Sequence, residues 1–321
     1  MTTADNVGPD LDDVVKHVGR LKTNLERVIR GKAEILQDII VALLAGESVL
    51  IEDVPGVGKT TLAKALAASI HLEFRRVQCT PDLLPADILG CSIYSPASGS
   101  FEFRQGPIFC NILLVDEINR ASPRTQSALL EAMAEHQVTV EGHVHKLPEP
   151  FLVIATQNPA GYLGTYPLPE SQLDRFLFLL NIDYPDPASE VEILYGQSVD
   201  PGGVDVEPVL SIPDLIECQE QVGRVHVDRS LAEYLVEIVN RTREHPQISL
   251  GVSPRGSLKL FRAAQARALL EGRSFVLPDD IQQSAPLVFR HRIVIHDEAV
   301  MNWRQADQIL RRIISEVEVP V

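Results

Sequence analysis

The sequence lacks the features of membrane and secreted proteins and of cysteine-ligated metal sites. No apolar run approaches the ~20 residues that a helix needs to span a bilayer, and the N-terminal residues MTTADNVGPDLDDVV lack the basic and apolar regions of a signal peptide. The four cysteines show no C-x-x-C pairing and no histidine at metal-ligand spacing, which predicts buried or inert thiols. They are Cys79, Cys91, Cys110 and Cys218. Together these absences predict a cytoplasmic protein with no membrane insertion.

Positive charge is also scarce. The chain has 29 Lys and Arg residues against 44 Asp and Glu residues, which gives a formal net charge of -15. A broad nucleic-acid surface is not expected, because phosphate binding requires clustered Lys and Arg; a basic pore formed locally in an assembly would still be compatible with this charge. Internal repeats and low-complexity tracts are absent. The 321 residues, 45% of them hydrophobic, are enough for a large core and two domains.

The first half of the chain alternates short apolar runs with helical patterns. Five segments are predicted strands: 48–52, 74–79, 111–117, 151–158 and 176–182. Several are continuously apolar, which is typical of strands buried on both faces of a parallel sheet. Among the helices between them, one has Ser122 at a capping position and Pro123 at its first position. The pattern predicts an α/β domain.

After residue 182 the pattern becomes helical. Turn-rich segments occupy 183–190 and 199–208, and helical periods follow at 227–245, 253–272 and 277–293. Asp228 and Ser253 stand at N-cap positions, and Gly272 stands where a helix would end. Leu258, Phe261 and the residues 264–268 form a stripe that is expected to face the core. We therefore predict two domains, 1–184 and 185–321.

A glycine-rich loop follows the first predicted strand. The segment DVPGVGKT (53–60) departs from the phosphate-binding pattern G-x-x-x-x-G-K-[ST] at Asp53 alone. In such a loop the backbone N–H groups cradle phosphates at a helix N-terminus, and Asp53 at the strand exit can point away from them. Lys59 would reach the β- and γ-phosphates of a nucleotide, and the Thr60 hydroxyl would bind Mg²⁺. The predicted nucleotide-binding residues are Pro55, Gly56, Val57, Gly58, Lys59, Thr60 and Thr61; the alternative is an ordinary Gly-rich turn.

Polar residues end two later strands. Asp116 and Glu117 follow the apolar residues ILLV, at the sheet edge where ligands collect in α/β folds. Asp116 would hold magnesium and Glu117 would polarise an attacking water, unless the two are merely solvated acids at a strand end. Asn158 ends the next strand and could orient that water without adding charge. Taken alone, an Asn before a Pro is more simply explained as a turn.

Six segments together resemble the MoxR-type AAA+ ATPases. They are VPGVGKTTLA, VQCTPDLLPADILG, LLVDEINRASPRTQSALLEAM, VIATQNP, LPESQLDRF and SPRGSLKLFRAAQA, and the similarity runs from about residue 25 to the end. The resemblance implies an α/β fold of the AAA+ P-loop NTPase type, a three-layer sandwich with a parallel sheet and a C-terminal helical lid domain. It also implies ATP and Mg²⁺, assembly into a ring that is usually hexameric, and an insert at about 90–107, where two strand-like stretches flank a Ser- and Gly-rich turn.

The resemblance also suggests roles for two arginines. Arg175 lies where an arginine finger is expected, reaching the nucleotide of the neighbouring subunit. Arg255 corresponds to the lid arginine known as sensor 2, and whether it acts on its own subunit or on the next stays open. The alternative for each is a surface salt bridge. Asp53 is the departure from the strict loop pattern, and it leaves the turnover rate open.

Three weaker features complete the pattern. The segment 136–150 predicts a hairpin with Glu141 and Gly142 near its turn, which by resemblance would face the ring's pore. His143 and His145 alternate on one strand, but no third metal ligand is apparent, so a solvated face is favoured. The FRHRI segment (289–293) is a small basic cluster, for which an inter-subunit contact and a solvated face are both open.

The resemblance leaves three functional hypotheses. The first is a chaperone-like remodeller that matures client proteins or inserts a metal or cofactor, often with a partner carrying a von Willebrand factor A domain. The second is a nucleic-acid motor or loader, against which the net acidity argues. The third is a nucleotide switch that binds ATP without hydrolysing it, although a switch would not need Glu117 and Arg175.

Overall fold

The structure is a computed structural model that describes residues 11–29, 31–52, 58–158, 164–184, 187–188, 190–191, 206–296 and 303–320. The predicted loop residues Asp53, Pro55, Gly56 and Val57 lie outside this described part. The residues 199–205 of the second turn-rich segment also lie outside it.

Parallel strands form the central sheet. They are β1 (Val49–Glu52), β2 (Phe74–Gln78), β5 (Ile112–Asp116), β8 (Leu152–Gln157) and β9 (Phe178–Leu180). Their order across the sheet is β2-β5-β8-β1-β9, and every pairing is parallel. Each of the five predicted strands is confirmed. β5 and β8 lie in the middle of the sheet, so their carboxyl ends are neighbours.

The sheet is buried on both faces, which explains the continuously apolar strands. Alternate side chains belong to two separate hydrophobic clusters. On one face the sheet residues Val49, Ile51, Ile112, Leu114 and Ile154 join the first cluster. On the other face Leu50, Leu113, Val115, Val153 and Ala155 join the second. This two-sided burial confirms the sandwich architecture.

Helices cover both faces of the sheet. The helices of the first half are α1 (Leu11–Val28), α2 (Ala33–Ala45), α3 (Lys59–Ile70), α4 (Pro85–Leu89), α5 (Pro123–Glu135) and α6 (Glu170–Leu173). Buried residues of α1, α2 and α3 contribute to the first cluster, and those of α5 contribute to the second. The start of α5 is as predicted, because Ser122 Oγ accepts a hydrogen bond from the Thr125 backbone N–H at 3.3 Å. Helices α1 and α2 were not predicted from the sequence.

Two antiparallel hairpins extend from this domain. One consists of β3 (Gly90–Ser95) and β4 (Ser100–Gln105), within the predicted insert. The other consists of β6 (Gln137–Val140) and β7 (His143–Lys146), and its turn residues Glu141 and Gly142 both have positive φ, at 51° and 81°. That backbone suits a two-residue hairpin turn, as predicted. The His145 ring stacks on Phe103 at 3.9 Å between centroids, and the described residues contain no group of three metal-ligating side chains.

The C-terminal part is helical, as predicted. It contains α7 (Ile212–Val222), α8 (Arg229–Glu244), β10 (Ile248–Leu250), α9 (Pro254–Leu270), α10 (Pro278–Phe289), β11 (Val294–Ile295) and α11 (Trp303–Glu316). Asp228 and Ser253 cap α8 and α9, and Gly272 has a φ of 73° just after α9. Leu258 is 72% exposed, so its assignment to the core was wrong. The boundary between residues 184 and 185 stays a prediction, since the first hydrophobic cluster continues from α2 into α9 and α10.

The basic FRHRI segment is neither solvated nor left for another subunit. Arg290, His291 and Arg292 are 4%, 0% and 6% exposed, so both interpretations were wrong. Their side chains instead bind backbone carbonyl groups between β9 and the end of α6, within the same chain. These contacts, together with two carboxylates, offset the cost of removing the charges from water.

Three of the four cysteines are buried, as predicted. Cys79, Cys110 and Cys218 are buried, and burial raises the pKa of each thiol to about 12. Cys91, on the first hairpin, is exposed. Among the described residues no helix is both long enough and apolar enough to cross a membrane.

Candidate functional site

A cavity of about 340 Å³ opens at the carboxyl edge of the central sheet. It lies where β2, β5 and β8 end and α3 begins. Its lining residues are Gly58, Lys59, Thr60, Thr61, Arg76, Gln78, Asp116, Glu117, Thr156 and Asn158. The structure thus brings together all the described residues of the predicted loop with both acids and the predicted asparagine.

The N-terminus of α3 forms one wall of this cavity. Gly58 precedes the helix with a φ of 95°, a conformation that glycine adopts without steric cost. No side chain in the described residues caps this helix end. Because the first N–H groups of a helix have no partner within the helix, they can bind an anion, and the helix dipole favours negative charge at this end.

Asp116 lies at the bottom of the cavity and is only 7% exposed. Its Oδ1 accepts a hydrogen bond from Thr156 Oγ1 at 3.2 Å, and its Oδ2 lies 2.6 Å from Arg76 Nε. The adjacent strand β8 therefore orients this carboxylate, while a guanidinium from β2 neutralises it.

Glu117 directs its carboxylate into the same cavity. Its φ is 55°, a left-handed conformation that costs a residue with a side chain about 1–2 kcal/mol. Oε2 accepts hydrogen bonds from Gln78 Nε2 at 3.1 Å and Arg120 Nη1 at 2.9 Å. Burial would raise the pKa of Glu117, but hydrogen bonds from Arg120 and Asn158 and the charges of Arg120 and Lys59 outweigh it and lower the pKa. Glu117 is therefore ionised at neutral pH.

Asn158 is held beside Glu117 by a residue that sequence reasoning missed. Asn119 is 5% exposed, and its side chain bonds the Asn158 backbone twice. Its Nδ2 donates to the Asn158 carbonyl at 3.1 Å, and its Oδ1 accepts from the Asn158 N–H at 3.3 Å. These bonds leave the Asn158 side chain to interact with Glu117. The sequence signal that could have identified Asn119 is its position, three residues after the end of β5 and directly after the paired acids and Ile118.

Arg76 and Gln78 are further cavity residues that the sequence did not reveal. They alternate on β2, whose partner in the sheet is β5, and Gln78 pairs in register with Asp116. The neighbouring Arg75 instead pairs with Glu73 at 2.7 Å. Arg76 and Gln78 lie next to the two acids only because β2 pairs with β5, and no local sequence pattern indicates that strand order.

Arg175 and Arg255 lie in a different cleft. This second cleft, of about 180 Å³, is also lined by Lys259 and Glu47 and shares no residue with the first. Arg175 Nη1 donates to the Leu130 carbonyl at 2.8 Å, while its Nε is buried with no acceptor among the described residues. Arg255 is exposed and forms no ion pair with the described part of the chain. With Lys259 held by Glu47, the cleft has an excess of positive charge.

Comparison with known proteins agrees with this geometry. A model of the ATPase family associated with various cellular activities (AAA) matches residues 48–178, and a model of the AAA lid domain matches 240–313. The chain is 52% identical over 310 residues to the uncharacterized protein YeaC of Bacillus subtilis, with 97% of each covered. It is 40% identical over 305 residues to the chaperone MoxR1 of Mycobacterium tuberculosis, with 92% of this chain and 80% of the relative covered.

Two further comparisons extend the match. The chain is 28% identical over 329 residues to the protein MoxR of Methylorubrum extorquens, with 94% of each covered. A crystal structure of a Cytophaga hutchinsonii protein that is assigned as an ATPase superposes with a TM-score of 0.88, at 35% identity over 97% of each chain. The helix N-terminus beside the paired acids and the matches to an AAA domain and an AAA lid agree with the motifs. The chain belongs to the MoxR-type AAA+ ATPases.

Proposed function

We propose that this chain hydrolyses ATP with Mg²⁺ in a ring of identical subunits and uses the energy to remodel client proteins. The observation that carries the proposal is the first cavity, where the N-terminus of α3 meets Asp116, Glu117 and Asn158. An anion-binding helix end beside two acids is the arrangement that phosphoryl transfer to water requires.

The cavity suits a magnesium nucleotide. The hydroxyl of Thr60 and the carboxylate of Asp116 are hard oxygen donors of the kind that Mg²⁺ prefers. Lys59, in the same cavity, would bind the β- and γ-phosphates. Bound Mg²⁺ would neutralise charge on the phosphate oxygens.

Glu117 and Asn158 would act on the attacking water. Glu117 is ionised, so it can accept a proton, and Asn158 lies within reach of its carboxylate. Gln78 and Arg120 fix the position of Glu117 from the other side. The protein's contribution is therefore to position and deprotonate water rather than to form a covalent intermediate.

The two arginines would complete the site of a neighbouring subunit. Their cleft is separate from the first cavity of the same chain, which supports action in trans for Arg255 as well as for Arg175. Each subunit would offer a nucleotide cavity on one side and an arginine cleft on the other. Such a heterologous contact generates a ring when the rotation closes, and a hexamer is the size we propose.

A chaperone-like role in client maturation, including metal or cofactor insertion, is the downstream function that we propose. The relative named chaperone MoxR1 supports it. A partner with a von Willebrand factor A domain is proposed from the family resemblance alone. A nucleic-acid motor or loader is the alternative, and ATP turnover stimulated by single- or double-stranded DNA would favour it over the remodeller.

The proposal is tested by measuring ATP turnover per subunit against protein concentration, beside a Lys59→Ala variant. Because each site would require a neighbour, specific activity is expected to rise with concentration until rings are complete. Lys59→Ala should weaken ATP binding by about 10- to 100-fold, since a charge-assisted contact to phosphate is lost. Flat specific activity would contradict the shared site, and ATP binding without turnover would favour the nucleotide switch.

A second prediction concerns Arg76, whose ion pair occupies Asp116. The Arg76→Gln change should reduce the Mg²⁺ concentration needed for half-maximal binding of a fluorescent ATP analogue by about threefold, a modest effect because the Arg76 side chain is 49% exposed and solvent screens its charge. Without Mg²⁺, the same change should weaken binding, because a cation beside the phosphates is removed. Arg75→Gln is the matched control, since Arg75 pairs with Glu73 outside the cavity. An increased Mg²⁺ requirement in Arg76→Gln would refute the competition.

A further inference from the structure

The guanidinium of Arg292 binds the segment that carries Arg175. Nε lies 2.7 Å from Asp174 Oδ1, and Nη2 donates to the Asp174 carbonyl at 2.9 Å and to the Phe176 carbonyl. Nη1 donates to the Leu177 carbonyl at 3.2 Å. One side chain after α10 thus contacts the residues on both sides of Arg175 and fixes the backbone there.

The same side chain packs beneath the helix that carries Arg255. Gly256 directly follows Arg255, and a β-carbon on it would lie only 3.1 Å from Arg292 Cδ and 2.5 Å from Val252 Cγ1. The glycine therefore permits a close approach between α9 and Arg292. Arg292 lies between the backbones of the two arginines that line the second cleft.

Arg292 is buried and charged in this position. Burial lowers its pKa to about 10, a change that Asp174 opposes, so the guanidinium keeps its charge at neutral pH. Burial, Arg292 and Arg290 all lower the pKa of His291, which is neutral. Arg290 adds to the contact between the helical part and the sheet, because its Nη2 donates to the Leu179 carbonyl in β9. Its Nη1 pairs with Asp307 of α11 at 3.3 Å. Neither arginine lines the nucleotide cavity.

We propose that Arg292 is a positioning residue, which holds Arg175 and Arg255 in one fixed arrangement so that both reach the nucleotide of the next subunit together. This inference rests on the proposed function, in which Arg175 acts in trans. Arg292 itself touches no substrate. Its loss should therefore disturb the neighbour's catalytic site and leave the subunit's own nucleotide cavity intact.

The test is the Arg292→Lys variant, which keeps the charge but loses the fork of hydrogen bonds. ATP turnover is expected to fall by about 100-fold, the effect of a misplaced group at a reacting centre. Binding of a fluorescent ATP analogue should stay within twofold of wild type, because the first cavity is unchanged. Asp174→Asn, which keeps the shape of the carboxylate, should produce the same pattern in weaker form and replaces Arg292→Lys if that variant fails to fold.

Mixed rings separate positioning from general destabilisation. Glu117→Gln subunits are catalytically impaired but carry an intact arginine cleft, so they can complete the sites of Arg292→Lys subunits. A site in such a ring is active only when an Arg292→Lys subunit supplies the nucleotide cavity and a Glu117→Gln subunit supplies the arginine cleft. Random assembly from equal amounts gives this combination at about a quarter of the interfaces, so about a quarter of wild-type turnover should be recovered. The Arg175→Ala variant mixed in the same way should recover equally.

The matched control is Arg267→Lys. Arg267 is another buried arginine of the helical part, and it pairs with Asp38 of α2 at 2.5 Å without contacting residues 174–177. Its variant should lose comparable thermal stability but keep its turnover. Near-normal turnover in Arg292→Lys, or no recovery in its mixture while Arg175→Ala recovers, would overturn the inference alone. Failure of both mixtures would overturn the action in trans as well.

Discussion

Glu117→Gln is expected to leave ATP bound while turnover falls by about 10²- to 10⁴-fold, the usual contribution of a positioned general base. The amide keeps the size of the side chain and its contacts with Gln78 and Arg120 partly in place. It cannot accept a proton from water. The measurement is single-turnover hydrolysis at saturating ATP, beside the dissociation constant of a fluorescent ATP analogue.

The control for this variant is Glu73→Gln, the same chemical change at the other end of β2, where the carboxylate pairs with Arg75 in solvent. We expect wild-type turnover from it. If Glu117→Gln turned over ATP at the wild-type rate, Glu117 would not be the base, and the role would pass to another cavity residue.

Arg175→Ala should reduce turnover by about 10³- to 10⁵-fold, the range measured for arginine fingers in phosphoryl transfer. Nucleotide affinity should be unchanged, because Arg175 lies outside the first cavity of its own chain. The fold should also survive, since the bond to the Leu130 carbonyl is a single hydrogen bond from a charged donor, worth about 1.5–3 kcal/mol. Steady-state turnover at a concentration that favours rings is the measurement.

Arg229→Ala serves as the matched arginine control, because Arg229 is a solvent-exposed arginine of α8 whose ion pair within the described part of the chain is with Glu233 on the same helix. Its turnover should equal that of wild type. If Arg175→Ala behaved likewise, the finger would have to be another residue. Arg255 would then be the first to examine, as the exposed arginine of the same cleft.

The sequence predicted those parts of the fold that are encoded locally. The continuously apolar run ending in Asp116 requires burial on both faces, and a central parallel strand provides it. Ser122 before Pro123 is a local helix start, and Glu141-Gly142 is a local hairpin turn, so both were predictable. The position of Asp116 and Glu117 at the carboxyl edge of the sheet was also predictable, because Asp116 ends this apolar strand and Glu117 directly follows it.

Long-range features could not be predicted in this way. Arg76 reaches Asp116 only because β2 lies beside β5, and strand order is set by the packing of the whole domain. For Arg290 and Arg292 the sequence left a solvated face and an inter-subunit contact open, because arginine is seldom fully buried without a partner. Their partners are carbonyl groups more than a hundred residues earlier in the chain. No local pattern signals that such acceptors are present.

The partly or fully buried ion pairs between the helical part and the sheet domain have a mechanical consequence. Lys259 with Glu47, Arg267 with Asp38, and Arg292 with Asp174 each join α9 or the end of α10 to the first half of the chain. Removing one partner of a buried pair costs about 3–5 kcal/mol, because the other charge is left buried without a partner, so these contacts resist separation of the two parts. The helical part and the sheet domain of one chain are therefore expected to move as one rigid body. In the proposed ring, a conformational change driven by the nucleotide would therefore alter the contacts between neighbouring subunits rather than the packing within one subunit.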